Sequence, residues 1–245
     1  MNHTKFTLFS LFVLASATNA FAAPCIPETL SYYQTNYGEL NACSSGVLNY
    51  FSFDFAKLSS FGAVTPSDIY ITPDPANNTL LFNGIQMSTF NHAVLPGQAE
   101  QYLISYVIDP PPIVAGDDLT LDPSTGPIYV SRWSCTEQPF SQLPTPGSIT
   151  GVGPTNYTAG SFQCIDGSNP YFLQVSPLTQ LSASLTFAVP ARYVFTRMAI
   201  DLLPGQHAGL EGIVSVTPTT IPEPGTFIPA ALALAGMAFH RLRRR

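Results

Sequence analysis

Proline and glycine cut this chain into pieces too short for most folds. Pro73-Asp74-Pro75, Pro96-Gly97, Pro110-Pro111-Pro112, Pro144-Thr145-Pro146-Gly147 and Pro204-Gly205 recur along it. Each is incompatible with a helix interior or a central strand, because proline lacks an N–H and its ring clashes with the preceding turn. What lies between is strand-like. Phe51, Phe53 and Phe55 alternate with Ser52 and Asp54, the period-2 signature of a strand with one buried face. Residues 102–108 are apolar on both faces, as in a central strand of a two-layer fold. Eight further runs, at 68–72, 79–82, 128–135, 161–165, 171–175, 184–189, 193–202 and 209–216, are bounded by turn residues. Only residues 27–40 suit a helix, with Pro27 near its first position and Gly38 near its end. The expectation is an all-β chain, an antiparallel β-sandwich of roughly eight to ten strands. Trp133 lies two residues before Cys135 and not between paired cysteines, so the immunoglobulin signature is absent.

The start of the chain reads as an export signal. Residues 1–5 carry one lysine, residues 6–17 are apolar, and Ala20-Phe21-Ala22 has the small-x-small pattern that signal peptidase cuts. Residues 1–22 are therefore expected to be removed, leaving Ala23 first. The four cysteines, Cys25, Cys43, Cys135 and Cys164, all fall in the exported part. An even number in an oxidising compartment reads as two disulfides, for which three connectivities exist. Cys25–Cys43 with Cys135–Cys164 is the expected pairing, since both close short loops. A four-cysteine zinc site lacks the Cys-x-x-Cys spacing.

The end of the chain has three parts in order. Pro222-Glu223-Pro224 comes first, then an uncharged run at 226–239, then Arg241, Arg243, Arg244 and Arg245. As a helix the run would span roughly 21 Å, short of a hydrocarbon core about 30 Å thick. The arginines place the C-terminus on the cytoplasmic side. This tail resembles the sorting signal of the PEP-CTERM proteins of Gram-negative bacteria, substrates of exosortase membrane proteases; the resemblance covers residues 222–245 alone. It implies a transient inner-membrane anchor, cleavage near the proline-bracketed glutamate, and delivery to the cell surface or extracellular matrix, alongside exopolysaccharide. Signal peptidase, an exosortase-type protease and exopolysaccharide are the partners it implies. The domain is expected at 23–216, with a linker at 217–221.

Charge narrows the body's role. Within residues 23–221, Lys57, Arg132, Arg192 and Arg197 face fourteen acidic residues, a formal charge of −10. Nucleic acid is excluded as a partner, because phosphate contacts need clustered cations. No nucleophile elbow, zinc helix or phosphate loop occurs, so no catalytic residue and no cofactor are expected. His92 and His207 read as surface or capping histidines. Asp117, Asp118 and Asp122 form the single acidic cluster, read as solvated turns around a short strand at 119–121 and, at best, a weak calcium site. Tyr32, Tyr33, Tyr37 and Tyr50 flank the first cysteine loop and offer either a stacking platform for sugars or rim hydroxyls of strands. Residues 138–156 form the longest stretch without a strand pattern, inside the expected Cys135–Cys164 loop. Two functions follow: a non-enzymatic surface or matrix protein, or a secreted hydrolase of matrix polysaccharide.

Overall fold

A computed structural model describes residues 22–57, 64–84, 92–93, 100–109, 113–121, 128–141, 159–176, 178–202, 207–208 and 214–221. It is mostly β, in mixed and antiparallel sheets, with one short helix.

The first sheet holds seven strands: β1 (Ala23–Pro24), β3 (Cys43–Ser45), β4 (Leu48–Lys57), β8 (Glu100–Asp109), β13 (Val194–Leu202), β10 (Ile128–Thr136) and β11 (Tyr171–Val175), adjacent in that order. The second holds six, ordered β12 (Ser182–Ala191), β9 (Ile113–Leu121), β15 (Val214–Ile221), β6 (Thr79–Gly84), β5 (Ile69–Asp74) and β2 (Glu28–Thr29). A separate pair joins β7 (His92–Ala93) to β14 (His207–Ala208). The doubly apolar run at 102–108 does lie centrally, as β8 between β4 and β13. Tyr102, Ile104, Tyr106 and Ile108 from the first sheet share one buried cluster with Ile71, Leu80, Phe82, Leu119 and Leu121 from the second.

Several expectations are corrected. One pair, β1 with β3, is parallel, so the sheets are not purely antiparallel. There are more strands than expected, because two- and three-residue strands such as β1, β2 and β3 are too short to show a period. The run at 161–165 carries only an isolated bridge at Cys164. Residues 217–221 are not a linker: they are the second half of β15, paired with β9 from Thr217↔Asp118 to Ile221↔Ile113. The helix α1 spans only Leu30–Asn36, capped by Thr29, whose hydroxyl accepts from the Tyr32 N–H at 3.1 Å. A polar cap satisfies an orphan N–H there that Pro27 has no means to reach. The even alternation of Phe51, Phe53 and Phe55 fails as well. Ser52 has φ 54° and the β4–β8 register shifts between Phe51 and Asp54. This bulge buries Phe53 with Tyr50 and Leu48 while Phe51 stays half-buried.

The sheets are stitched at the β3–β4 turn. Gly46 has φ +63°, and a Cβ there would meet Asn78 Oδ1 at 2.1 Å, so only glycine fits. Asn78, on the β5–β6 turn, accepts from Val47 N at 2.9 Å, and its carbonyl accepts from the Tyr50 hydroxyl at 2.7 Å. Disulfides join Cys25 to Cys43 and Cys135 to Cys164. Two such bonds place folding in an oxidising compartment.

Candidate functional site

The chain's convergent polar chemistry lies between the sheets. On β10, Val130, Arg132 and Ser134 face inward, and Arg132 is 1% exposed. Its Nε donates to Asp117 Oδ2 on β9, in the opposite sheet, and its Nη1 donates to the Tyr106 hydroxyl. Ser134 Oγ donates to the same carboxylate oxygen at 3.2 Å. Tyr106 stacks on Phe53 at 5.5 Å and on Phe82 at 5.7 Å, and the guanidinium carbon lies 5.4 Å from its ring centre. Among the described residues, Asp117 Oδ1 and Arg132 Nη2 find no hydrogen-bond partner.

Burial sets the electrostatics of this cluster. It pushes the Asp117 carboxyl above its ordinary value, with Arg132 and Ser134 opposing. Burial would discharge Arg132 too, but Asp117 and Tyr106 outweigh it and hold the guanidinium firmly protonated. Burial also raises Tyr106 and Tyr50, whose phenols stay neutral: the Tyr106 hydroxyl accepts from Arg132 and the Tyr50 hydroxyl donates to the Asn78 carbonyl. Such a pair joins the two sheets at a defined register; removing one partner leaves a buried charge unmatched.

A second buried arginine lies on the outer face of the first sheet. Ladder pairing aligns Asp54, Ser105, Arg197, Trp133 and Phe172 across five strands. Arg197 is covered by Phe140 at 4.4 Å and Phe162 at 5.0 Å from its guanidinium carbon. Trp133 packs edge-on against Phe162 at 4.7 Å. The segment bearing these rings is held by the Cys135–Cys164 disulfide, an isolated bridge between Phe140 and Cys164, and the bond from Ile165 N to Pro139 O at 3.0 Å. Burial lowers Arg197 to about 10, opposed by Asp54. At the loop's tip, hydrogen bonds from Gln138 and Ser168 hold the exposed Asp166 carboxyl at about 2.

The acidic cluster is dispersed. Asp117 is buried against Arg132, while Asp118, next along β9, faces the other side with Thr120, Ser182, Ala183 and Ser184 around a shallow groove. Carboxylates on opposite faces of one strand have no common ion to hold, so the calcium reading and the solvated-turn reading both fail for Asp117. Asp122 lies outside the described residues. No group of three or more metal-ligating side chains occurs among the described residues.

Tyr33 and Tyr50 are fully buried, with hydroxyls bonded to Ile26 O at 2.8 Å and Asn78 O at 2.7 Å, so neither belongs to a sugar platform. Tyr32 and Tyr37 are half-buried against them. His92 and His207 occupy paired strands, in the register His207↔Ala93 and Ala208↔His92. Most of residues 138–156, and all of Pro222, Glu223, Pro224, Arg241, Arg243, Arg244 and Arg245, lie outside the described residues.

Comparisons with family models, curated proteins and solved structures find no match to this chain. Its chemistry therefore rests on its own geometry. The residues that sequence reasoning missed are Arg132, Tyr106, Ser134 and Arg197. One signal was present: in a body with four basic residues, Arg132 stands inside a strand run next to the single Trp.

Proposed function

We propose that this chain is an exported, non-enzymatic protein of a Gram-negative cell surface or extracellular matrix. Its body is read as a β-sandwich, freed from a transient inner-membrane anchor by exosortase-type cleavage and associated with exopolysaccharide. The observation that carries this reading is that paired strand runs right up to the motif. Strand β15 is paired through Ile221, the last described residue, and Pro222-Glu223-Pro224 begins at the next position. Cleavage within the motif would therefore free a disulfide-stapled body with every described strand intact. The Arg132–Asp117 pair fits a structural role, since its hydrogen bonds join the two sheets.

Two measurements test the proposal. Mass spectrometry of the exported protein should find a form lacking the terminal arginines; a form still ending in Arg245 rejects sorting. Purified residues 23–221 should bind host exopolysaccharide without shortening it. Shortened chains would make the protein a hydrolase, and no binding would remove the polysaccharide from the proposal.

A further inference from the structure

The two large sheets end in β1, β11, β12 and β2, and all of these edges but β12 are blunted. β1 is two residues long and contains Pro24, while β2 is equally short and runs straight into α1. Beside β11 the chain turns back: Ser176 N donates to Gln180 O at 2.8 Å, and the Gln180 side chain donates to the Gln174 carbonyl at 2.8 Å. β12 is ten residues long, and among the described residues no strand pairs with its outer side. Leu121 N donates to Leu181 O at 2.7 Å, which fixes the parity of the ladder with β9. Leu181, Ala183 and Leu185 bond to β9, so the N–H and C=O groups of Ser182, Ser184 and Thr186 point away from it. All three of those residues are exposed. The open stretch ends at a bulge, where Ala188 N donates to the Tyr171 hydroxyl at 2.8 Å.

We propose that this edge pairs with β12 of a second copy of the chain, antiparallel about a twofold axis at Ser184. A long edge with free backbone groups is a template for an added strand. Ser184 then faces Ser184 and Ser182 faces Thr186, with about six new backbone bonds and hydroxyl-bearing neighbours that favour one another. Charge selects a second copy as the occupant. β12 lies within residues 167–191, which contain no charged side chain. Two bodies of formal charge −10 can therefore meet here without facing like charges. On β9, Asp118 is the ladder partner of Ser184. The two copies of Asp118 would stand three strand spacings apart, about 14 Å, beyond the screening length of about 8 Å. The apolar surface agrees. Leu181 and Val189 lie on either side of the open stretch, and both are exposed. Pairing about Ser184 carries Leu181 of each copy to residues 187–189 of the other, where Val189 can cover it.

The test uses the full chain in intact host cells treated with diamide, a thiol oxidant. Residues at a hydrogen-bonded antiparallel pair have Cα atoms about 5.5 Å apart, within disulfide reach. Ser184→Cys should therefore give a covalent dimer on non-reducing gels. Ser182→Cys alone should not, because its two copies would lie about 13 Å apart along the strands, and co-expressing it with Thr186→Cys should restore the dimer. Equal linking by Ser184→Cys and Ser182→Cys, or no linking by any variant, would overturn the pairing. A link from position 184 to a different protein would overturn the second copy as occupant. Purified full chain in detergent should also sediment as a dimer, with Ser184→Pro raising its dissociation constant at least tenfold. Thermal unfolding of that variant should stay close to wild type, since the N–H it loses faces outward from an edge strand. A dimer unaffected by Ser184→Pro, or wild type that remains monomeric up to about 0.1 mM, would overturn the proposal.

Discussion

Two arginines are buried in this body, Arg132 at 1% and Arg197 at 5% exposure, and they are held in opposite ways. Arg132 is matched by a carboxylate from the facing sheet and by a phenol hydroxyl. Arg197 is covered by two aromatic rings that a disulfide clamps over it, with Asp54 as the carboxylate that steadies its charge. The first is a specific ionic contact between layers, and the second is a cation under an apolar cover. Their sensitivity to substitution should differ accordingly, because breaking a buried pair leaves a charge behind while removing a ring-covered cation leaves none.

The largest effect should come from the inter-sheet pair. Asp117→Leu or Arg132→Met alone should each destabilise the body by about 3–5 kcal/mol, read from urea unfolding at neutral pH. The double variant should recover most of that loss, since two apolar groups replace two charges. Single variants within about 1 kcal/mol of wild type would place the pair energetically at the surface.

The disulfides come next. Cys135→Ala with Cys164→Ala opens a separation of 29 residues, worth about 3–4 kcal/mol in the chain-entropy model. Cys25→Ala with Cys43→Ala opens 18 residues, worth about 3 kcal/mol on the same model. The two are distinguished by Trp133, the protein's single tryptophan. Losing the first bridge should shift Trp133 emission to longer wavelength before global unfolding, because Phe162 no longer covers it. Losing the second should leave the folded spectrum unchanged. Identical spectra would mean that the loop stays closed without its bond.

A smaller effect sharpens the contrast. Arg197→Met should change stability by no more than about 1 kcal/mol, because a lost cation–π contact of about 0.5–2 kcal/mol is offset by relief of desolvation. A loss as large as that of Arg132→Met would show that Asp54 matches Arg197 as fully as Asp117 matches Arg132.

The smallest effect is the pH response, and its sign differs between the two regions. The folded state raises the Asp117 carboxyl, so this group's contribution is complete below the ordinary value of about 3.9 and is lost as pH rises through the raised one. Asp166 is lowered to about 2, so its contribution is complete above the ordinary value and is lost as pH falls through about 2. Thermal unfolding across this range should show Asp166→Asn flattening the acid limb only. The Asp117→Leu, Arg132→Met double variant should flatten the limb above it. The same limb responding to both would mean that one group governs it.

Much of the architecture was legible because it depends on local chemistry. Proline and glycine forbid long elements wherever they stand, and a central strand must be apolar on both faces, so β8 shows its place in seven consecutive residues. Strand β9 was read only at its end, because Gly116-Asp117-Asp118 has the composition of a turn. Gly116 is there for another reason: a Cβ on it would lie 2.4 Å from Leu185 O on β12. The bulge at Ser52 was equally silent, since alternation in sequence is blind to an unpaired residue.

The chain by itself determined the strand-rich body, the even set of cysteines and the three-part sequence pattern of the tail, each a property of neighbours along one segment. Tertiary structure decided the partners of Arg132 and Asp117, fifteen residues apart, and the burial of Arg197 beneath rings from another segment. It also decided that residues 217–221 belong to a strand. The physical reason is common to all three. Whether a charge is matched or a strand is paired depends on which backbone lies 5–10 Å away across a ladder or a layer, at spacings fixed by sheet geometry, and distance along the chain does not carry that information.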